Sequence, residues 1–351
     1  MTLLADTIAS IGGVDPAISA ATQRLLDAKT KPRRSLGRIE DLACRVAAIR
    51  GTPSPALPVK AIVVMGADHG VADEGVSAYP QAVTRQMLLN FAAGGAAINV
   101  LARQAGAQVV VVDMGVTAPL PGLDICARRV GPGTRNFTLG PAMSRAQAIE
   151  AVETGIQLAH ELVAGGVTLL GTGEMGIANT TAASAIAAAF AGAAPEAVTG
   201  RGTGIDDSGW RRKIDVVRQA LAVNRPDPAD ALDVLAKVGG FEIGGLAGVV
   251  LGGASRRVPV VVDGFIAGVA ALLAVRLAPA AADYLIAAHQ SVEIGHRLVL
   301  ELLGLRPLLD LELRLGEGTG VALAMSLVDA ALRVLHEMAT FENAGVSDAG
   351  A

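Results

Sequence analysis

A carboxylate set between two glycines is the residue of this chain best suited to acid–base chemistry. Glu317 lies in Leu313-Arg-Leu-Gly-Glu-Gly-Thr-Gly320, with a glycine on each side. Glycine permits a sharp corner and a close ligand, so this carboxylate could be aimed into a cleft as a general base. A periodic apolar run, Val321 to Leu332, follows and predicts a helix. The plainer alternative is an acid in that helix's first turn, favoured by the helix dipole. Glu174 lies in Gly171-Thr-Gly-Glu-Met-Gly-Ile-Ala-Asn-Thr-Thr181, ahead of an Ala-rich stretch. Glycines at a helix start present N–H groups to an anion. Gly171, Gly173 and Gly176 also match the spacing of a dinucleotide fingerprint. The acid expected some twenty residues on is missing, and a simple tight turn fits as well.

A second glycine-rich turn, Gly200-Arg-Gly-Thr-Gly204, precedes Trp210-Arg-Arg-Lys213. Gly202 and Lys213 could hold a phosphate, although basic residues at this spacing often form only a solvated helix face. A third polar segment follows an apolar run and contains Asp68-His-Gly70, Ser77, Tyr79, Gln81 and Gln86. It could wall an aromatic ligand. His69 by itself reads as a hydrogen-bonded structural residue. No His, Cys or acid cluster has metal-ligand spacing, and no Gly-x-Ser-x-Gly elbow occurs.

The elements that must position these residues are legible in outline. Helical spacing covers 17–26 and 36–49, with the basic turn Lys31-Pro-Arg-Arg between them and a Pro-rich linker at 51–58. Five short apolar runs follow, at 61–65, 107–112, 167–170, 258–262 and 284–288, each ending in glycine, an acid or a polar residue. The last leads into Ser291. Such runs alternating with helices predict a parallel sheet covered on both faces. Ligands then bind beyond the carboxyl ends of the strands, where the polar clusters fall. From about 305 the pattern returns to helix, and 342–351 reads as a loose tail.

Of 351 residues, 52% are hydrophobic but only 3% aromatic, and 42 are glycine, which suits tightly packed helices and strands. A net charge of −4 argues against a nucleic-acid partner. Mean hydropathy is +0.48, yet the run Phe265 to Val275 is too short to span a bilayer. Two unpatterned cysteines, Cys44 and Cys126, suit a reducing compartment, and the N-terminal residues do not resemble a secretory signal. A cytoplasmic protein with no membrane partner is expected.

Jointly these motifs resemble the nicotinate-nucleotide:dimethylbenzimidazole phosphoribosyltransferase family of cobalamin biosynthesis. The matching stretches also include Ser35-Leu-Gly-Arg38, Gly75-Val-Ser-Ala-Tyr-Pro80, Glu242-Ile-Gly-Gly245 and Asp263-Gly-Phe265, in the family's order from residue 31 to 320. One departure is Arg33-Arg34, a more basic pair than expected. The resemblance implies an α/β fold: a Rossmann-like parallel sheet with helices on both faces, plus a smaller all-helical domain built from both chain ends. It implies a large domain at 56–304 and a small one at 1–55 and 305–351 that carries Glu317. It also implies a homodimer, with nicotinate mononucleotide and 5,6-dimethylbenzimidazole as substrates and with no cofactor or metal. Glu317 would take the catalytic base position and Glu174 a supporting one. Gly176, Gly202 and Lys213 would hold the donor phosphate, Ser77, Tyr79, Gln81 and Gln86 the benzimidazole, and Ser291 nicotinate or ribose. A dinucleotide-dependent oxidoreductase and a non-catalytic binding protein are the competing readings.

Overall fold

The computed structural model describes residues 2–118, 120 and 125–347. Six parallel strands form one sheet: β1 Lys60–Ala67, β2 Ala107–Gly115, β3 Cys126–Ala127, β4 Leu169–Met175, β5 Val260–Val262 and β6 Leu285–Ala287. Their order is β3-β2-β1-β4-β5-β6. The chain therefore builds outward from β1, returns to its other side at β4, and builds outward again. The crevice where the direction reverses lies between the carboxyl ends of β1 and β4, with Met65 opposite Glu174 and Gly66 opposite Met175.

Side chains alternate across the sheet, and both faces are buried. Ala61, Val63 and Met65 join the core formed with helices Arg145–Ala164, Phe241–Ser255 and Phe265–Leu277. Ile62 and Val64 join the opposite core, with helices Arg38–Arg50, Ala97–Ala105 and Thr319–Glu337. This double cover explains the unbroken apolar runs. Helix Thr319–Glu337 is long and apolar enough to cross a bilayer by length and composition. Its Val321, Ala324, Val328 and Leu332 are instead packed in this core.

The α/β class, the five expected strands and the helices near 17–26 and 36–49, seen at Pro16–Asp27 and Arg38–Arg50, match the structure. Three expectations need correction. The two-residue β3 lies outside the five expected runs, because a strand so short carries no periodicity. Residues 305–318 form a loop, and helix resumes only at Thr319. Thirdly, β4 does not stop before Gly171 but runs on through Glu174 to Met175. Gly171 and Gly173 are thus strand residues rather than a turn around an anion. A Cβ at Gly173 would stand 2.5 Å from the carbonyl oxygen of Glu317, and one at Gly171 would overlap Val321. The glycines let the loop and helix that follow Leu315 lie directly on the strand.

The chain ends are tied to each other and to the sheet. Lys29 Nζ donates to the carbonyl of Met338 at 2.8 Å, and the Thr30 N–H to that of Ala339 at 3.0 Å. Helix Leu3–Ser10 lies elsewhere, where the Leu4 N–H donates to Glu153 at 2.9 Å. A short helix spans Phe341–Ala344. The last part of the expected tail, 348–351, lies outside the described residues.

Candidate active site

A cavity of about 530 Å³ opens beyond the carboxyl end of β4. Glu174, Gly176, Thr180, Gly202, Ser291 and Gly316 are among the residues that line it. The helix Asn179–Ala191 starts at this cavity. Ala178 precedes it in the left-handed region, at φ +74°. The positive end of that helix therefore faces the space.

Glu174 is buried, and the Asn179 amide donates to its Oε2. Its other oxygen lies against Gly316, where a Cβ would overlap it. Burial pushes its carboxyl up to about 8, only partly offset by Asn179, while Asp263, Glu242 and Glu317 nearby raise it further. At neutral pH it is mostly protonated.

Glu317 occupies the loop ahead of helix Thr319–Glu337, not the helix's first turn. Gly316, Glu317 and Gly318 all have left-handed backbones, at φ +81°, +62° and +87°. For a residue with a Cβ this conformation is costly, and the surrounding contacts must hold it. Asp263, at the end of β5, does so: its carboxylate accepts from the N–H of Gly318 at 3.1 Å and of Val321 at 3.2 Å. The Thr319 hydroxyl donates to the Gly316 carbonyl at 2.8 Å. The Glu317 side chain is buried, and its Oε2 lacks a partner among the described residues. Burial raises its carboxyl, opposed in part by the N–H of Ile98. Glu317 is not itself among the residues lining the cavity, although Leu315 and Gly316 beside it are.

Lys213 is fully buried on helix Asp207–Asn224. Its Nζ donates to the Thr180 hydroxyl at 2.7 Å and lies 3.0 Å from where a Gly202 Cβ would stand. Burial pushes its ammonium down to about 8, countered by Glu293. It thus stands behind Thr180 and Gly202, two cavity residues.

The structure gathers Ser77, Tyr79, Glu174, Gly176, Gly202 and Ser291 around the one cavity. The Ser77 hydroxyl is 3.2 Å from that of Thr203, and Tyr79 is exposed at the rim. Gln81 and Gln86 stand outside the lining residues. The Gln81 amide donates to the His69 carbonyl at 3.4 Å, and Gln86 is exposed on helix Ala82–Ala92. His69 is structural, as expected: buried, with Nε2 2.6 Å from Glu242. Asp263, Asn179 and Thr180 carry no role in the sequence reading, though all three sit in motifs visible there. Their role is to orient other groups, which spacing alone does not reveal. Among the described residues, no three His, Cys, Asp or Glu side chains group closely enough to hold a metal ion.

Comparison with known proteins agrees with this architecture. Residues 11–346 match the DBI_PRT family, described as phosphoribosyltransferase. The chain is 60% identical over 348 residues to a protein of Roseiflexus sp. strain RS-1, covering 99% of each. It is 57% identical over 349 residues to one of Geobacter metallireducens, covering 99% of this chain and 98% of that one. Both relatives are named nicotinate-nucleotide–dimethylbenzimidazole phosphoribosyltransferase. The crystal structure of CobT from Thermus thermophilus superposes with a TM-score of 0.90 at 52% identity, covering 94% of this chain and 99% of that one. With the match running nearly end to end in both sequence and fold, the chain belongs to the DBI_PRT phosphoribosyltransferase family.

Proposed function

We propose that this protein transfers the phosphoribosyl group of nicotinate mononucleotide to 5,6-dimethylbenzimidazole, releasing nicotinate and forming α-ribazole 5′-phosphate. The observation that carries this reading is a shared cavity. It brings the Gly176 and Gly202 backbones, with Lys213 behind Gly202, together with Glu174 and with Gly316, the neighbour of Glu317.

The donor's anomeric carbon is bonded to a pyridinium nitrogen, so nicotinate departs without receiving a proton. The incoming benzimidazole nitrogen attacks from the opposite face, and the β bond is replaced by an α bond. As the new C–N bond forms, the benzimidazole N–H must be lost. Glu317 is the group we assign to take it. Burial raises its basicity toward the working pH, where a general base is most effective. Asp263 serves this step by fixing the loop that carries Glu317.

Glu174 supports the reaction beside the ribose. Mostly protonated in the free protein, it offers the ribose a neutral hydrogen-bonding group, and only its ionised fraction would offset the oxocarbenium character that the ribosyl centre gains, as in glycoside cleavage. Lys213 and the start of helix Asn179–Ala191 offset the phosphate charge. Ser77 and Tyr79 border the acceptor and Ser291 the ribose or nicotinate. Gln81 and Gln86 would reach the acceptor only from a second ring of residues.

We further assign 1–55 and 305–351 as a small helical unit that brings Glu317 to the large unit 56–304, a division supported by the contacts between Lys29–Thr30 and Met338–Ala339, whereas helix Leu3–Ser10 packs on the large unit through Glu153. We also assign a cytoplasmic homodimer, for which exposed Tyr79, Val292, Ile294 and Leu315 near the cavity offer apolar surface. The test is an incubation with both substrates and no added metal. The expected result is equal amounts of nicotinate and the α anomer of the ribazole phosphate. Donor binding with no nicotinate release would instead identify a binding protein.

A further inference from the structure

The cavity carries no surplus of positive charge, although its donor is an anion. Glu293 and Glu312 line it beside the mostly protonated Glu174, and Arg314 is the only lysine or arginine among the lining residues. Lys213 contributes from behind Thr180 but faces Glu293. A phosphate monoester bears about −1.5 to −2 charge at neutral pH. One buried ammonium beside a carboxylate leaves much of that charge unmatched, and unmatched buried charge is costly.

Arg314 is placed to supply the missing charge. It is exposed and makes no ion pair among the described residues. Its Nη1 lies 3.4 Å from the Gly202 carbonyl, a long contact. Lys213 approaches the same residue from helix Asp207–Asn224. Two cations on separate elements therefore converge on one turn, and a guanidinium can grip phosphate oxygens in a bidentate manner. We propose that Arg314 binds the donor's 5′-phosphate opposite Lys213, and that this grip helps hold the Glu317 loop, already seated on Gly173 and Glu174, at the bound ribose.

The second half follows from connectivity. Arg314 is two residues before Gly316 and three before Glu317. Gly316 rests on Glu174, and the Glu317 backbone on Gly173. A grip on Arg314 is thus transmitted along a very short chain to the base. Energy from a remote, non-reacting group is then expressed in turnover as well as in binding.

This inference rests on the proposed phosphoribosyl transfer, and the experiment separates the two. Wild type and Arg314→Met are assayed with nicotinate mononucleotide and with nicotinate riboside, which lacks the phosphate. Lys213→Met serves as a second phosphate-side variant. If wild type makes no ribazole phosphate from the mononucleotide, the functional reading fails. Given wild-type activity, Arg314→Met is expected to lower kcat/KM for the mononucleotide about 10- to 100-fold, the scale of a hydrogen bond to a charged group. For the riboside the same substitution should change it by less than about 3-fold. Part of the mononucleotide loss should appear in kcat. Equal losses on both donors would overturn the phosphate assignment, and a loss confined to KM would overturn the role in holding the loop.

Discussion

Replacing Gly173 by alanine tests whether the strand positions the catalytic loop. The added Cβ would stand 2.5 Å from the Glu317 carbonyl oxygen and 2.6 Å from its carbonyl carbon, both rigid backbone atoms. Ordinary contact begins near 3.4 Å, so the loop must withdraw by about 1 Å. A displacement of that size at a reacting group can cost about 10²-fold in rate. Overpacking a tight core costs about 1–3 kcal/mol, a fall of about 1–4 °C in Tm for a chain of this size. The control is Gly171→Ala, whose Cβ would meet the side chains of Val321 and Met325. Met325 can swing its end away, and the stiffer Val321 must repack within helix Thr319–Glu337, beyond the loop that carries Glu317. Steady-state kinetics on both variants, with donor affinity measured by calorimetry, should show similar losses in Tm. Gly173→Ala alone should lose about 10²-fold in kcat, with donor binding kept. Turnover within about 3-fold of wild type in Gly173→Ala would refute the claim that this backbone contact sets the base.

Two further predictions concern pH. Lys213 has its ammonium lowered by burial to about 8, below its value in an unfolded chain. The folded state therefore binds fewer protons between about 8 and 10.5, and in that window the lysine's cost to stability is relieved as pH rises. Donor affinity should fall over the same rise as the ammonium is lost; titration calorimetry checks this, and a Lys213→Met variant should bind weakly without that fall. Glu174 is the opposite case, with its carboxyl raised from 4.5 to about 8. The folded state keeps a proton that the unfolded chain releases, so stability relative to Glu174→Gln should fall as pH rises from about 4.5 to about 8 and then level off. Thermal melts across that range, with no difference in slope between the two proteins, would dismiss the buried-carboxyl account.

Much of this can be read from the residues because each strand ends in the group it presents. The runs before Asp68, Gly171 and Asp263 declare both a buried sheet and its functional edge. Resemblance adds what spacing cannot, the expectation that Glu317 works with residues far away in sequence that would hold a phosphate. What stays hidden depends on contacts made in three dimensions. Gly171 and Gly173 look like an anion-binding turn until the Glu317 loop and Val321 are seen lying on them. Asp263 looks like one more strand-end acid until its carboxylate is found holding two N–H groups of the Gly318–Val321 turn. The loop at 305–318 reads as helix because Leu305, Leu308, Leu309 and Leu311 give helical spacing without helix-forming contacts.

The central claim is that one acid, Glu317, removes the acceptor's proton. Glu317→Gln keeps the size and left-handed backbone of the loop and deletes the base. Formation of α-ribazole 5′-phosphate by this variant, at saturating donor and acceptor, tests the claim most directly. The account predicts donor binding like that of wild type and a loss of at least about 10²-fold in turnover. Turnover close to that of wild type would contradict it.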